Sequence, residues 1–237
     1  MTEPTKGGLP LAVSAAIAIQ ALTSAAVLAL TPIAPIVADA MGLPAHVIGY
    51  QVSAVYAFAA LISIFSGRIV RKYGPARSSQ LALFAAAVGL AGFASGSAGI
   101  VLIGSVLIGS GYALTNPAAS ELLIRLAPPD KRNLIFSLKQ TGVPLGGILA
   151  GLVLPGAALA LGWQSALLLS AAFVLVVAAA LETVRSAWDV GADPRLPLRA
   201  NMLEGFELVM RRSGLRALAF MGLLFAAIQL SLVSFVV

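Results

Sequence analysis

The sequence predicts an all-α fold, a polytopic bundle of transmembrane helices, and three observations carry that prediction. Seven apolar blocks recur along the 237 residues, near 9–31, 47–67, 78–98, 100–120, 134–158, 163–181 and 217–237. Each is close to the roughly 20 apolar residues that a helix needs to cross a bilayer core. Hydrophobic residues make up 59% of the chain and charged residues 10%, against roughly 25% charged in a soluble domain. The third observation is the distribution of charge. If the N-terminus is cytoplasmic, the outer segments 32–46, 99 and 159–162 hold no Lys or Arg. All fifteen fall on the inner side: Lys6; Arg68, Arg71, Lys72, Arg77; Arg125, Lys131, Arg132, Lys139; and Arg185, Arg195, Arg199, Arg211, Arg212, Arg216. Basic residues are retained on the cytoplasmic face, so this asymmetry predicts the orientation. Backbone in hydrocarbon must bond internally, and the short alternating strands of a β-barrel are missing from the sequence, so the blocks are helices.

Taken in order, the first block follows Lys6 and runs toward Ala38-Asp39-Ala40, which loosely resembles a secretory leader and its cleavage site. The apolar run is about twice the length of a leader's core and carries Gln20, Thr23 and Ser24, so a retained first helix is expected. From Ser78 to Ser120 no charge occurs, which is enough for two crossings. Ser95-Gly96-Ser97-Ala98-Gly99 supplies the small residues for the turn between them. Short connections place successive helices side by side and antiparallel. Residues 1–185 thus form a six-helix bundle.

Residues 186–213 differ in composition, being rich in charge and Pro, and read as a cytoplasmic linker. Pro197 and Gly214 bracket a predicted helix from Leu198 to Arg212. Leu198, Met202, Phe206 and Val209 share one face of it, flanked by Arg199, Glu204, Glu207 and Arg211. An amphipathic helix on the membrane or under the bundle is one reading, and an ordinary soluble linker helix is the other. Residues 214–237 give a seventh transmembrane helix. An odd helix count after a long linker suggests one half of a larger protein, a truncated chain whose C-terminal half is its partner.

Composition narrows the function classes. The net charge of +6 sits in loops beside apolar helices, where topology and anionic lipid explain it, so no nucleic-acid partner is expected. There is no Cys and one His, which leaves no Cys-rich or His-rich metal site, and no cofactor is expected. A membrane-embedded enzyme needs a catalytic cluster, and none is visible, so the chain is not read as an enzyme.

The loop between the second and third helices is Gly67-Arg68-Ile69-Val70-Arg71-Lys72-Tyr73-Gly74-Pro75-Ala76-Arg77. Gly67 at a helix end admits a close neighbour, and Gly74-Pro75 makes a tight turn. Topology alone also explains four cations in ten positions. The segment resembles the loop signature of the major facilitator superfamily, Gly-x-Leu-Ala-Asp-Arg-x-Gly-Arg-Arg. Two Gly residues stand seven apart, Ile69 stands for the Leu and Lys72 for the basic residue. Arg71 occupies the Asp position, a charge reversal, and Pro75 and Ala76 occupy the final basic pair. The resemblance implies an N-terminal six-helix half and a conformational role for Gly67, Arg71, Lys72, Gly74 and Arg77. In the family the Asp helps latch the halves, so this chain lacks that latch or needs an acidic partner in the absent half.

The fourth helix carries Gly109-Ser110-Gly111, but Ser105 stands where the family has an Arg, so no proton role transfers there. Lys139-Gln140-Thr141-Gly142-Val143-Pro144 resembles a run in some bacterial facilitator permeases. Ala29-Leu30-Thr31-Pro32 echoes Ala113-Leu114-Thr115-Asn116-Pro117, as an inverted three-plus-three repeat would.

Charge at mid-membrane costs about 2.5–3.5 kcal/mol per residue on insertion scales, so what remains there is a functional candidate. Lys139 is the nearest case, roughly 9 Å into the fifth helix at 1.5 Å per residue. Its ammonium either attracts an anionic group such as a carboxylate or snorkels to the interface. Gln140 adds hydrogen-bonding capacity beside it. Gln20, Thr23, Ser24 and Thr31 line one side of the first helix, and Ser105, Tyr112, Asn116 and Ser120 one side of the fourth. Such faces point at protein or a wet cavity, and in the family these helices line the central cavity. Interhelical hydrogen bonding is the structural alternative. The substrate-binding candidates are thus Gln20, Tyr112, Asn116, Lys139 and Gln140. Pro32, Pro35, Pro117 and Pro144 are expected to bend helices. Asp39 and His46 are candidates for a coupling H+, although surface solvation also explains them. Glu121 and Arg125 read as an i,i+4 pair.

The expected function is secondary active transport of a small solute, with an organic anion favoured by Lys139, through alternating access in the inner (plasma) membrane. Drug or metabolite efflux is the alternative, as is a non-transporting fragment or scaffold.

Overall fold

The structure, a computed structural model, describes residues 8–44, 47–198 and 204–235, with side chains described to 228 except for 204–206. Lys6, His46, Arg199 and Met202 lie outside the described residues, as do the side chains of Glu204 and Phe206. Eleven α-helices and two 3-10 turns make up the described chain: α1 Leu9–Val27, α2 Ala34–Met41, α3 Val47–Tyr73, α4 Pro75–Phe93, α5 Ala98–Leu126, α6 Arg132–Gln140, α7 Gly142–Leu161, α8 Trp163–Ala180, α9 Glu182–Trp188, α10 Glu204–Arg211 and α11 Ser213–Phe235. Six segments among them are long and apolar enough to cross a membrane.

Two blocks are broken helices, for reasons local to proline. Residues 32–46, expected to be a loop, are mostly helical. Thr31–Ile33 forms a 3-10 turn and α2 follows it. Pro32 and Pro35 sit at first-turn positions of these elements, where the missing N–H has no helical partner to lose. Asp39 is therefore an exposed residue of α2, not of a loop. The fifth block splits at Thr141 into α6 and α7. Pro144 has no N–H to offer the Gln140 carbonyl four residues back. Thr141 closes the α6 end instead, its N–H and its hydroxyl both donating to Leu138 O, at 3.1 Å and 2.6 Å.

Contacts among elements divide the chain into two compact units, Met1–Leu196 and Pro197–Val237. In the first, α5 packs against α1, α3 and α4, while α1 also packs on α7, and α8 on α4 and α7. Lipid supplies no hydrophobic drive between helices, so close approach of small residues holds them. A Cβ on Gly111 would lie 2.6 Å from Ala82 O on α4, and one on Gly142 would lie 2.7 Å from Ile17 O on α1. Gly109 and Gly146 abut the Val55 and Ala21 carbonyls more closely still. Gly67 behaves otherwise: a Cβ there would meet nothing within 4 Å, so no neighbour among the described residues uses the room the sequence reading gave it. Leu152 at 77% and Leu159 at 79% exposure show that the bundle's outer face stays apolar, as a lipid-facing surface must.

In the second unit α10 packs on α11, with Arg211 paired to Glu207 at 2.6 Å. Gly214, expected as a stop, lies in the first turn of α11.

Candidate functional site

Lys139, in the last turn of α6, reaches across to α5. Only 2% of Lys139 is exposed. Its ammonium donates to Asn116 Oδ1 and, at 3.2 Å, to Ser120 Oγ. Asn116 and Ser120 stand one turn apart on α5, so both acceptors face the same way. The Phe136 ring lies 5.5 Å from Lys139 Nζ, within cation–π range. No carboxylate pairs with Lys139 among the described residues. Asn116 itself is exposed, although its neighbours Thr115, Ala118 and Ala119 are buried. Lys139 thus turns its ammonium onto α5.

A second group adjoins the first. Gln20 is 4% exposed, packs against Gly142 and leaves Oε1 without a hydrogen-bond partner. Ser24, one turn along α1, packs against Gly146. Its hydroxyl lies near Tyr112 without reaching hydrogen-bond geometry. The Tyr112 ring meets Tyr56 of α3 edge-on at 6.0 Å. Of the five binding candidates, the structure thus joins Lys139 to Asn116 and sets Gln20 and Tyr112 beside them. Gln140 is exposed and takes no part in the Lys139 bonds. Thr23 spends its hydroxyl on Ile19 O at 2.9 Å, and Ser105 on Val101 O at 2.8 Å. Tyr56 and Phe136 were not foreseen, because aromatic residues in apolar blocks carry no distinguishing pattern.

The basic loop is organised by a residue the sequence reading passed over. Gly74 turns the chain at φ +88°, a value a side chain rarely tolerates. Asp189, 113 positions on from Ala76, covers that turn. Its Oδ1 accepts from Ala76 N at 2.7 Å and its Oδ2 from Arg77 N at 3.2 Å. These are first-turn amides of α4, which otherwise lack partners. Arg71 O accepts from Asp193 N at 3.0 Å, and Lys72 Nζ donates to Leu196 O at 3.2 Å. Arg77 donates to Gln80 Oε1 at 3.0 Å and stands 3.7 Å from Glu182, and Gln80 Nε2 donates to Glu182 at 3.0 Å. Arg125 does not pair with Glu121 as expected. It donates to the carbonyls of Trp188 and Val190, because the chain after α9 folds across the end of α5.

The two acids here are tuned in opposite directions. The Gln80 hydrogen bond, then Arg185 and Arg77, hold Glu182 below the usual carboxylate range. Burial pushes Asp189 above it, against the amide donors and nearby Arg185 and Arg77. An unrelated cavity of about 360 Å³ lies among α1, α4, α7 and α8, lined by Leu22, Leu149, Val153, Leu169 and Phe173 among others. It holds none of the binding candidates.

Comparison with known proteins follows the architecture. Among solved structures, the chain resembles a mutant of peptide transporter POT in complex with alafosfalin, with a TM-score of 0.62 at 18% identity, covering 90% of this chain and 45% of that one. It also resembles a POT mutant and POT itself in complex with sulfate, with TM-scores of 0.59 and 0.58, each at 19% identity. Those alignments cover 95% and 94% of this chain and 46% and 45% of the others. The chain therefore spans less than half the length of these structures, and at such identity the likeness is one of fold. No curated protein matches. The family model of the Major Facilitator Superfamily matches residues 16–237. With that match over most of its length, and a helical membrane bundle to go with it, the chain belongs to the Major Facilitator Superfamily.

Proposed function

We propose that this chain forms the N-terminal half of a secondary active transporter that moves a small organic anion by alternating access. The buried Lys139 ammonium carries the reading. It has two neutral oxygen acceptors and, among the described residues, no carboxylate partner, whereas buried charge is ordinarily paired. An anionic solute reaching exposed Asn116 supplies the missing charge. Gln20, Tyr112 and Gln140 line its approach, a second half closes the path opposite, and rocking of the halves exposes the site alternately. The basic loops orient the bundle with its N-terminus in the cytoplasm, in the inner membrane, with H+ as the candidate coupling ion. In this reading the six-helix bundle carries the site, and the linker and seventh helix lead to the second half.

The test is uptake in proteoliposomes by the full-length transporter, with a panel of anionic, neutral and cationic solutes and an imposed pH gradient. Short peptides belong in the panel, since a peptide ends in a carboxylate. Anion uptake that vanishes in Lys139→Ala supports the reading, and unchanged anion uptake in a well-inserted Lys139→Ala protein overturns it. A second reading, efflux of apolar compounds, draws on the apolar cavity, and extrusion of such compounds regardless of Lys139 favours it. No movement of any solute favours a scaffold. A reporter fused after Gly99 tests orientation, and a cytoplasmic reporter signal there overturns it.

A further inference from the structure

The chain following α8 is bound to the bundle at three helix ends. Asp193 and Leu196 meet the end of α3 through Arg71 and Lys72. Asp189 meets the start of α4. Glu182 meets Gln80 of α4, and the carbonyls of Trp188 and Val190 meet Arg125 at the end of α5. Trp188 is buried, at 3% exposure. Residues 182–196 are thus a strap that lies within the first compact unit.

We propose that Asp189 is the clasp that holds this strap over the Gly74 turn and the first amides of α4. Most strap contacts are single bonds from long, exposed side chains or from backbone carbonyls, and exposed pairs such as Arg77 with Glu182 contribute little. Asp189 differs in three ways. It accepts two hydrogen bonds with both oxygens, it satisfies amides at the positive end of a 19-residue helix, and it packs against Gly74, where no side chain fits. A charge-assisted bond of this kind is roughly twice as strong as a neutral one, and the helix end adds to it. The strap accordingly belongs to the six-helix unit, and the joint to the second unit begins after Leu196.

The chain contains no Cys, so introduced thiols are read without background. Ala76 is fully buried beneath the strap. In membranes carrying the full chain, Ala76→Cys is expected to resist a soluble thiol reagent, and adding Asp189→Ala is expected to raise its labelling several-fold. The pair Arg71→Cys with Asp193→Cys is expected to cross-link under mild oxidant, and Asp189→Ala to reduce that yield several-fold. Gly74→Ala reaches the same contact from the other side, and is expected to raise Ala76→Cys labelling with Asp189 intact. Unchanged labelling and cross-linking in both Asp189→Ala and Gly74→Ala overturn the proposal. So does ready labelling of Ala76→Cys alone. None of these readouts requires transport, so they stand or fall apart from the transport reading.

Discussion

The Lys139 ammonium, carried on the short helix α6, terminates on the carboxamide oxygen of Asn116 on α5. A cation and a neutral acceptor are joined inside a bundle where a carboxylate would be the ordinary partner. Losing the cation removes a charge-assisted interaction of about 1.5–3 kcal/mol, which corresponds to about 10- to 100-fold in an equilibrium constant. Lys139→Met is expected to lower anion uptake by about that factor while leaving neutral solutes alone, as measured by initial uptake rates across the solute panel.

Asn116 gives the complementary test. Asn116→Ala leaves the ammonium with Ser120 as its hydroxyl acceptor, and is expected to lower stability by about 1–3 kcal/mol. Asn116→Asp gives Lys139 an internal counter-ion. Thermal unfolding in detergent should separate them, with Asn116→Asp at least as stable as the natural protein yet poor in anion uptake.

Helix packing predicts a contrast among glycines. Gly109→Ala and Gly146→Ala each drive a Cβ into a carbonyl of the facing helix, and overpacking of this kind costs about 1–3 kcal/mol. Gly67→Ala meets open space within the helix α3, so it should gain about 0.5–1 kcal/mol from a stiffer unfolded chain. Melting temperatures of the three variants check the ordering.

Acidity should act on the strap with two opposite signs. Glu182 is held low, so its contribution is present above the ordinary Glu value of about 4.3 and is lost as pH falls through its depressed value. Burial raises Asp189, so the cost of ionising it in the folded state is absent below the ordinary Asp value of about 3.9 and is incurred as pH rises through its raised value, where the charged carboxylate's bonds to the Ala76 and Arg77 amides offset part of it. Glu182→Gln should leave a strap that tightens on acidification, and Asp189→Asn one that loosens. Emission from Trp188, read in a Trp163→Phe background across pH 3–7, reports both slopes.

Much of the bundle was legible residue by residue. The blocks from 47 to 98 became α3 and α4, and the turn between the third and fourth blocks lies at 94–97, with Ala98 and Gly99 already in α5. The breaks were less legible. Pro144 was seen as a bend, but the split of the fifth block depends on how Thr141 closes α6. Asp39 was read as a loop residue because polar flanks and short helices look alike in sequence.

By itself, then, the sequence determined that this protein lives in a bilayer as a helical bundle and which helices carry polar faces, because apolar block length and charge asymmetry are one-dimensional properties. Only the tertiary structure decided that Lys139 joins Asn116 and that Asp189 closes over Gly74. Those pairs lie 23 and 115 residues apart, and a hydrogen bond forms only where packing brings its donor and acceptor together.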